Sequence, residues 1–184
     1  MAGRIFISYR REDAAGSAAL LYEHLSRAFG ESQVFMDVDN LMAGQRFDQQ
    51  LEKALAECEV LIAVIGPRWL DLLKAKRAAR ERDYVREEIT AALGRGVVVI
   101  PVTVERGTLP QQKELPQDIY ALVFHQSQAI SQEQRRRDID WLWWNANAWM
   151  SCGSSFCCGS IPRSTITGIT TTRRVSAAAI SSRT

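Results

Sequence analysis

Six consecutive apolar residues, Val60 to Ile65 (VLIAVI), are closed off by Gly66-Pro67. The run is too short to cross a membrane and too uniform for a strand with one wet face. It reads as a strand covered on both sides, which occurs where helices sandwich a parallel sheet. Ile5 to Ile7 within RIFISYRR and Val97 to Val104 have the same character. The stretches between them change period. Ala14 to Phe29 places Ala18, Leu21, Tyr22, Leu25 and Phe29 on one helical face and stops at Gly30.

The whole chain follows this alternation. Strands are expected at Arg4 to Tyr9, Gln33 to Asp37, Val60 to Ile65, Val97 to Val104 and Tyr120 to Phe124. Helices are expected at Ala14 to Phe29, Phe47 to Glu57, from Trp69 to Leu73, at Asp83 to Leu93, and from Ser131, where Gln134 completes a capping box. The charged segment Leu73 to Arg82 reads as solvated, and Pro101 confines strand four to a place where no ladder bond is needed or to the strand's end. Five strands alternating with helices predict a flavodoxin-like α/β fold, a parallel sheet in the order 2-1-3-4-5 with helices on both faces.

Composition narrows the function. The chain carries 23 basic and 21 acidic residues, and the tail 151–184 has four arginines and no acid, so residues 1–150 are slightly acidic. A near-neutral domain offers no broad field for a polyanion, which argues against nucleic acid as the main partner. No segment reads as a signal peptide or a membrane span. Three of the four cysteines (Cys152, Cys157, Cys158) sit in the tail and Cys58 has apolar neighbours, which suits a reducing, cytoplasmic setting. His24 and His125 have no ligand spacing, so no metal site is expected.

Residues 1–150 are expected to form one domain. The tail 151–184, with 14 Ser or Thr among its 34 residues and no hydrophobic period, reads as disordered; a shifted reading frame or a cloning scar leaves the same signature. Trp141, Trp143, Trp144 and Trp149 precede it and either cover the end of the sheet or meet a partner or membrane surface.

Charge gathers at strand ends, where open α/β proteins place their chemistry. Strand one delivers Tyr9, Arg10 and Arg11, and strand two ends at Asp37. Arg10 or Arg11 either contacts a phosphate or ribose of a ligand or pairs with Glu12, Asp13 or Asp37. On the helix Asp83 to Leu93, Val85, Ile89, Ala92 and Leu93 point inward and Glu87 points to water. Glu88 falls on the flank of the apolar face, one turn after Tyr84. Of the two carboxylates only Glu88 can line a cleft beside the sheet; the alternative is a surface pair with Arg86 or another arginine.

FISYRR at Phe6 to Arg11, VFMDVDNLMAGQRF at Val34 to Phe47 and DYVREEITAAL at Asp83 to Leu93 resemble the three signature regions of TIR domains, bacterial type. GPRWL at Gly66 to Leu70 and PVTV at Pro101 to Val104 also fit, and the resemblance spans about residues 3–146 in order. It implies NAD⁺ glycohydrolase or cyclase activity in immune or defence signalling, or a non-catalytic, self-associating adaptor or virulence protein. It makes Glu88 the catalytic glutamate, with substrate contacts from Tyr9, Arg10, Arg11 and Asp37 and from Phe47, Trp69 and Tyr84. Several NAD-cleaving relatives have tryptophan where this chain has Tyr84. The loop Asp39, Asn40, Leu41, Met42, Ala43 and Gly44 matches the BB loop, which in relatives mediates head-to-tail assembly. The resemblance therefore implies TIR–TIR contacts, with a separate sensor or other TIR proteins as partners. NAD⁺ enters as substrate and not as cofactor, since no G-x-G-x-x-G is present. A receiver domain of the same sheet order would need acidic residues at the ends of strands one and three, where this chain has arginines and Gly66-Pro67.

Overall fold

Successive side chains of a strand leave on opposite faces, so a strand buried on both sides feeds two separate cores. The computed structural model, which describes residues 4–36, 54–125 and 127–130, shows this division. The strands are β1 (Arg4–Ser8), β2 (Val34–Met36), β3 (Cys58–Ile65), β4 (Val98–Val104) and β5 (Gln128–Ile130). All neighbours pair parallel, in the order β2-β1-β3-β4-β5. The doubly wound, flavodoxin-like order expected from the sequence is the observed one.

Helices α1 (Arg11–Phe29), α2 (Trp69–Ala79) and α3 (Tyr84–Gly94) pack on the sheet. Ile5 and Ile7, then Val60, Ile62 and Val64, then Ile100, Val102 and Val104 meet Ala14, Ala18, Leu21 and Leu25 of α1 on one face. Phe6, Leu61, Ala63, Ile65 and Val99 meet Trp69 and Leu73 of α2 and Val85, Ile89 and Ala92 of α3 on the other. Each fully buried Leu, Ile or Phe contributes about 1.5–3 kcal/mol of apolar transfer.

Local signals set the element ends. Gly30 stops α1 with a positive φ of 97° that L side chains rarely adopt. Arg80 closes α2 in the left-handed region, where the Glu81 N–H donates to the Lys76 carbonyl at 2.9 Å. Pro101 sits opposite Ala63 in the β3–β4 ladder, and β5 pairs with β4 only from Val102 onward, so the missing N–H falls where no β5 partner waits.

One expectation is corrected. Tyr120–Phe124 is a 3-10 helix, not a strand; the fifth strand is Gln128–Ile130. Ile119 and Leu122, three residues apart, bury on the α3 side while Tyr120 and Phe124 stay exposed, a spacing that suits a turn and not a pleat. The charged stretch Leu73 to Arg82 lies outward as expected; most of it continues α2, which runs to Ala79, and Leu73 at its start is buried. Of the expected helix Phe47 to Glu57, residues 54–57 are described: 54–56 are helical and Glu57 is a bend. The last helix, the tryptophan cluster and the tail lie outside the described residues. Among those described, no helix is long and apolar enough to cross a membrane.

Candidate functional site at the carboxyl end of β1

Parity along β1 sends Phe6, Ser8 and Arg10 toward α3 and leaves Ile5 and Ile7 to α1. The face begins aromatic and turns polar at the strand's end. Ser8 Oγ donates to Glu88 Oε2 at 2.6 Å across 80 residues of sequence, and both residues are buried. Two residues later, Arg10 Nη2 donates to Asp83 Oδ2 at 2.7 Å, with the two side chains 2% and 7% exposed. Asp83 caps α3 through its other oxygen, Oδ1, which accepts from the Arg86 N–H at 3.3 Å. The Arg10 guanidinium carbon also stands 5.2 Å from the centroid of the buried Trp69 ring.

The spacings match. Ser8 and Arg10 are ~7 Å apart along a strand, and five helical residues from Asp83 to Glu88 rise ~7.5 Å. Because Ser8 meets Glu88 and Arg10 meets Asp83, α3 runs antiparallel to β1 and is fastened to it at two levels. A buried charge needs a partner, and both Arg10 and Asp83 have one.

The neighbouring carboxylate has another fate. Glu87 is exposed and held by Arg82 through Nε and Nη2 at 3.0 and 2.8 Å. Arg86, the surface partner considered for Glu88, instead binds Asp118 at 2.8 and 3.1 Å, and Thr90 Oγ1 adds a bond to Asp118 at 3.2 Å. Burial works against charge on Asp118, but the bonds and charge of Arg86 outweigh it and hold its carboxyl below the usual range. Glu88 is therefore the inward-facing carboxylate, as the helical periodicity predicts.

The other expected site residues separate. Tyr84 is 38% exposed one turn before Glu88, with the Arg82 guanidinium carbon 4.8 Å from its ring centroid. Arg11 opens α1 and is exposed. Tyr9 packs with the α1-side cluster, on the opposite face from Glu88, and Trp69 is buried beneath Arg10. Arg10 pairs with Asp83 and not with Glu12, Asp13 or Asp37, the partners considered from sequence. Asp37, Phe47 and the loop from Asp39 to Gly44 lie outside the described residues.

Asp13 does a different task. Its Oδ1 accepts from the Arg68 N–H at 2.8 Å, and its carboxylate covers Gly66 so closely that a Cβ there would lie 2.5 Å from Oδ2. Burial pushes the Cys58 thiol up to about 12, and its Sγ donates to the Val60 carbonyl at 3.0 Å, so it is a core residue and no nucleophile.

Ser8 and Asp83 were not singled out from sequence. Ser8 had a signal, being the polar residue that ends an apolar strand. Asp83 had another, an aspartate just before an apolar helical period, which marks an N-cap.

The family profile described as TIR domain matches residues 5–139. The NAD(+) hydrolase SARM1 of Danio rerio is 32% identical over 137 residues, 74% of this chain and 18% of that protein. The NAD(+) hydrolase sarm1 of Drosophila melanogaster is 33% identical over 116 residues, 62% of this chain and 8% of that protein. The matched region is thus a small part of either relative. A solved structure, the TIR domains of the activated Roq1 resistosome directly recognizing the pathogen effector XopQ, aligns over 82% of this chain and 84% of that one, at 18% identity and a TM-score of 0.46.

Proposed function

Because the chain belongs to the TIR domain family, we propose that it cleaves NAD⁺ between nicotinamide and ribose, with Glu88 as the catalytic carboxylate. The observation that carries the reading is the buried Glu88 at the carboxyl end of β1, held by Ser8 while its neighbour Glu87 is drawn off by Arg82. Two relatives named as NAD(+) hydrolases, at 32% and 33% identity, support the substrate.

The chemistry suits one carboxylate. Nicotinamide bound to ribose is already a cationic leaving group and takes the bonding electron pair as it departs, so no strong acid is needed. The ribose left behind is oxocarbenium-like, as in glycoside cleavage. A fixed negative charge beside the sugar stabilises that cation and orients its hydroxyls. Water then attacks the anomeric carbon and loses a proton to give ADP-ribose; attack by the adenine of the same molecule gives a cyclic product. Tyr84, partly exposed one turn from Glu88, suits a flat face for the nicotinamide ring. Arg11, exposed at the start of α1, suits the pyrophosphate.

We also propose that activity requires self-association through the loop from Asp39 to Gly44, in the cytoplasm and in defence signalling. Under that reading, specific activity rises with protein concentration. The test is incubation with NAD⁺ at several protein concentrations, followed by chromatography of nicotinamide, ADP-ribose and cyclic products. Glu88→Gln is expected to reduce nicotinamide release on the order of a hundredfold or more while the fold is retained. Parental turnover in Glu88→Gln, or no release by the wild type at any concentration, overturns the enzymatic reading.

A further inference from the structure

We propose that Ser8 is a positioning residue, acting through Glu88 to fix the direction of its carboxylate. The inference rests on the NAD⁺-cleaving reading of that glutamate. The terminal torsion of a glutamate is broad and nearly two-fold, so a carboxylate held only by its stem swings. Here the Ser8 hydroxyl takes Oε2 at 2.6 Å, within the short range of bonds to an ionised oxygen. Pinning one oxygen sets the plane of the group and so the direction of the other.

The donor stands on rigid ground. Ser8 is 1% exposed and lies opposite Ala63 in the β1–β3 ladder, in the interior of the sheet. Its hydroxyl therefore has little freedom of its own, as a supporting group for a reactive side chain requires. The acceptor cannot drift away by helix sliding, because Arg10 and Asp83 fasten the start of α3 to the same strand two residues further on.

The role differs from substrate binding and has a distinct kinetic mark. Ser8→Ala removes the donor without touching NAD⁺, so kcat is expected to fall about 10- to 100-fold, with KM moving less than about threefold. Ser8→Thr keeps a hydroxyl on the same carbon and is expected to recover most of kcat. A second readout needs no substrate: if Ser8 serves Glu88, the double variant Ser8→Ala with Glu88→Gln loses less melting temperature than the sum of the two single losses. An active wild type with Ser8→Ala at parental kcat overturns the assignment while leaving the NAD⁺ reading intact. So does a loss in Ser8→Thr equal to that in Ser8→Ala, or strict additivity of the melting shifts. A wild type that releases no nicotinamide overturns both.

Discussion

The two faces of the sheet are made by the same strands and treat polarity in opposite ways. Under α1, the buried strand residues from Ile5 to Val104 are all aliphatic, with Tyr9, Tyr22 and Phe29 packed at the margin. On the α2–α3 face, Phe6, Leu61 and Val99 begin in the same manner, but the carboxyl end of β1 turns to Ser8 and Arg10, met by Glu88 and Asp83. The first face is a scaffold in which shape and volume matter. The second buries charge, which is costly unless every partner is in place. One strand serves both because parity separates residues 5 and 7 from 6, 8 and 10.

Disrupting the polar end tests that contrast hardest. Arg10→Ala leaves Asp83 buried and unpaired and is expected to cost about 3–5 kcal/mol in urea unfolding; a loss below about 1 kcal/mol would mean that the pair does not hold α3. On the aliphatic face, Leu21→Ala opens a cavity under α1 and is expected to cost about 2–4 kcal/mol, while kcat and KM of the folded protein stay at parental values. A change in kcat there would couple the faces that the comparison separates. Glu87→Gln breaks an exposed pair with Arg82 and is expected to cost less than about 1 kcal/mol, with NAD⁺ turnover unchanged, in contrast to the adjacent Glu88.

The smallest effect concerns pH. Burial lowers the pKa of His125 from 6.5 in the folded chain, whereas the unfolded chain protonates near 6.5. Its contribution is therefore fully present above pH 6.5 and is lost as pH falls through that value toward the folded one. Urea midpoints measured from pH 7.5 to 5.5 should fall, and His125→Gln should flatten that slope; an unchanged slope removes His125 as its source.

Sequence alone disclosed what local period controls. The apolar runs gave four strands and their order, Gly30 gave a helix end, and the helical angle between Glu87 and Glu88 picked the inward carboxylate. It did not disclose what depends on distant contacts. YALVF fits a strand or a turn equally well, and only its burial at Ile119 and Leu122 decides. Arg10 had three nearby carboxylates to choose from and took one 73 residues away, because parity turns it from α1 toward the start of α3. Trp69 looked like a ring for a ligand, yet it lies beneath that same arginine. Nothing in the order of residues says that the Ser8 hydroxyl donates to Glu88.

The bare α-carbon at Gly66 sits at the head of a relay. A methyl group there would press on the Asp13 carboxylate and turn it from the Arg68 amide. Arg68 immediately precedes Trp69, whose ring backs the guanidinium that grips Asp83. One added carbon just past the end of β3 would thus press, through Asp13 and the Arg68–Trp69 turn, toward the ion pair at the first turn of the helix bearing Glu88.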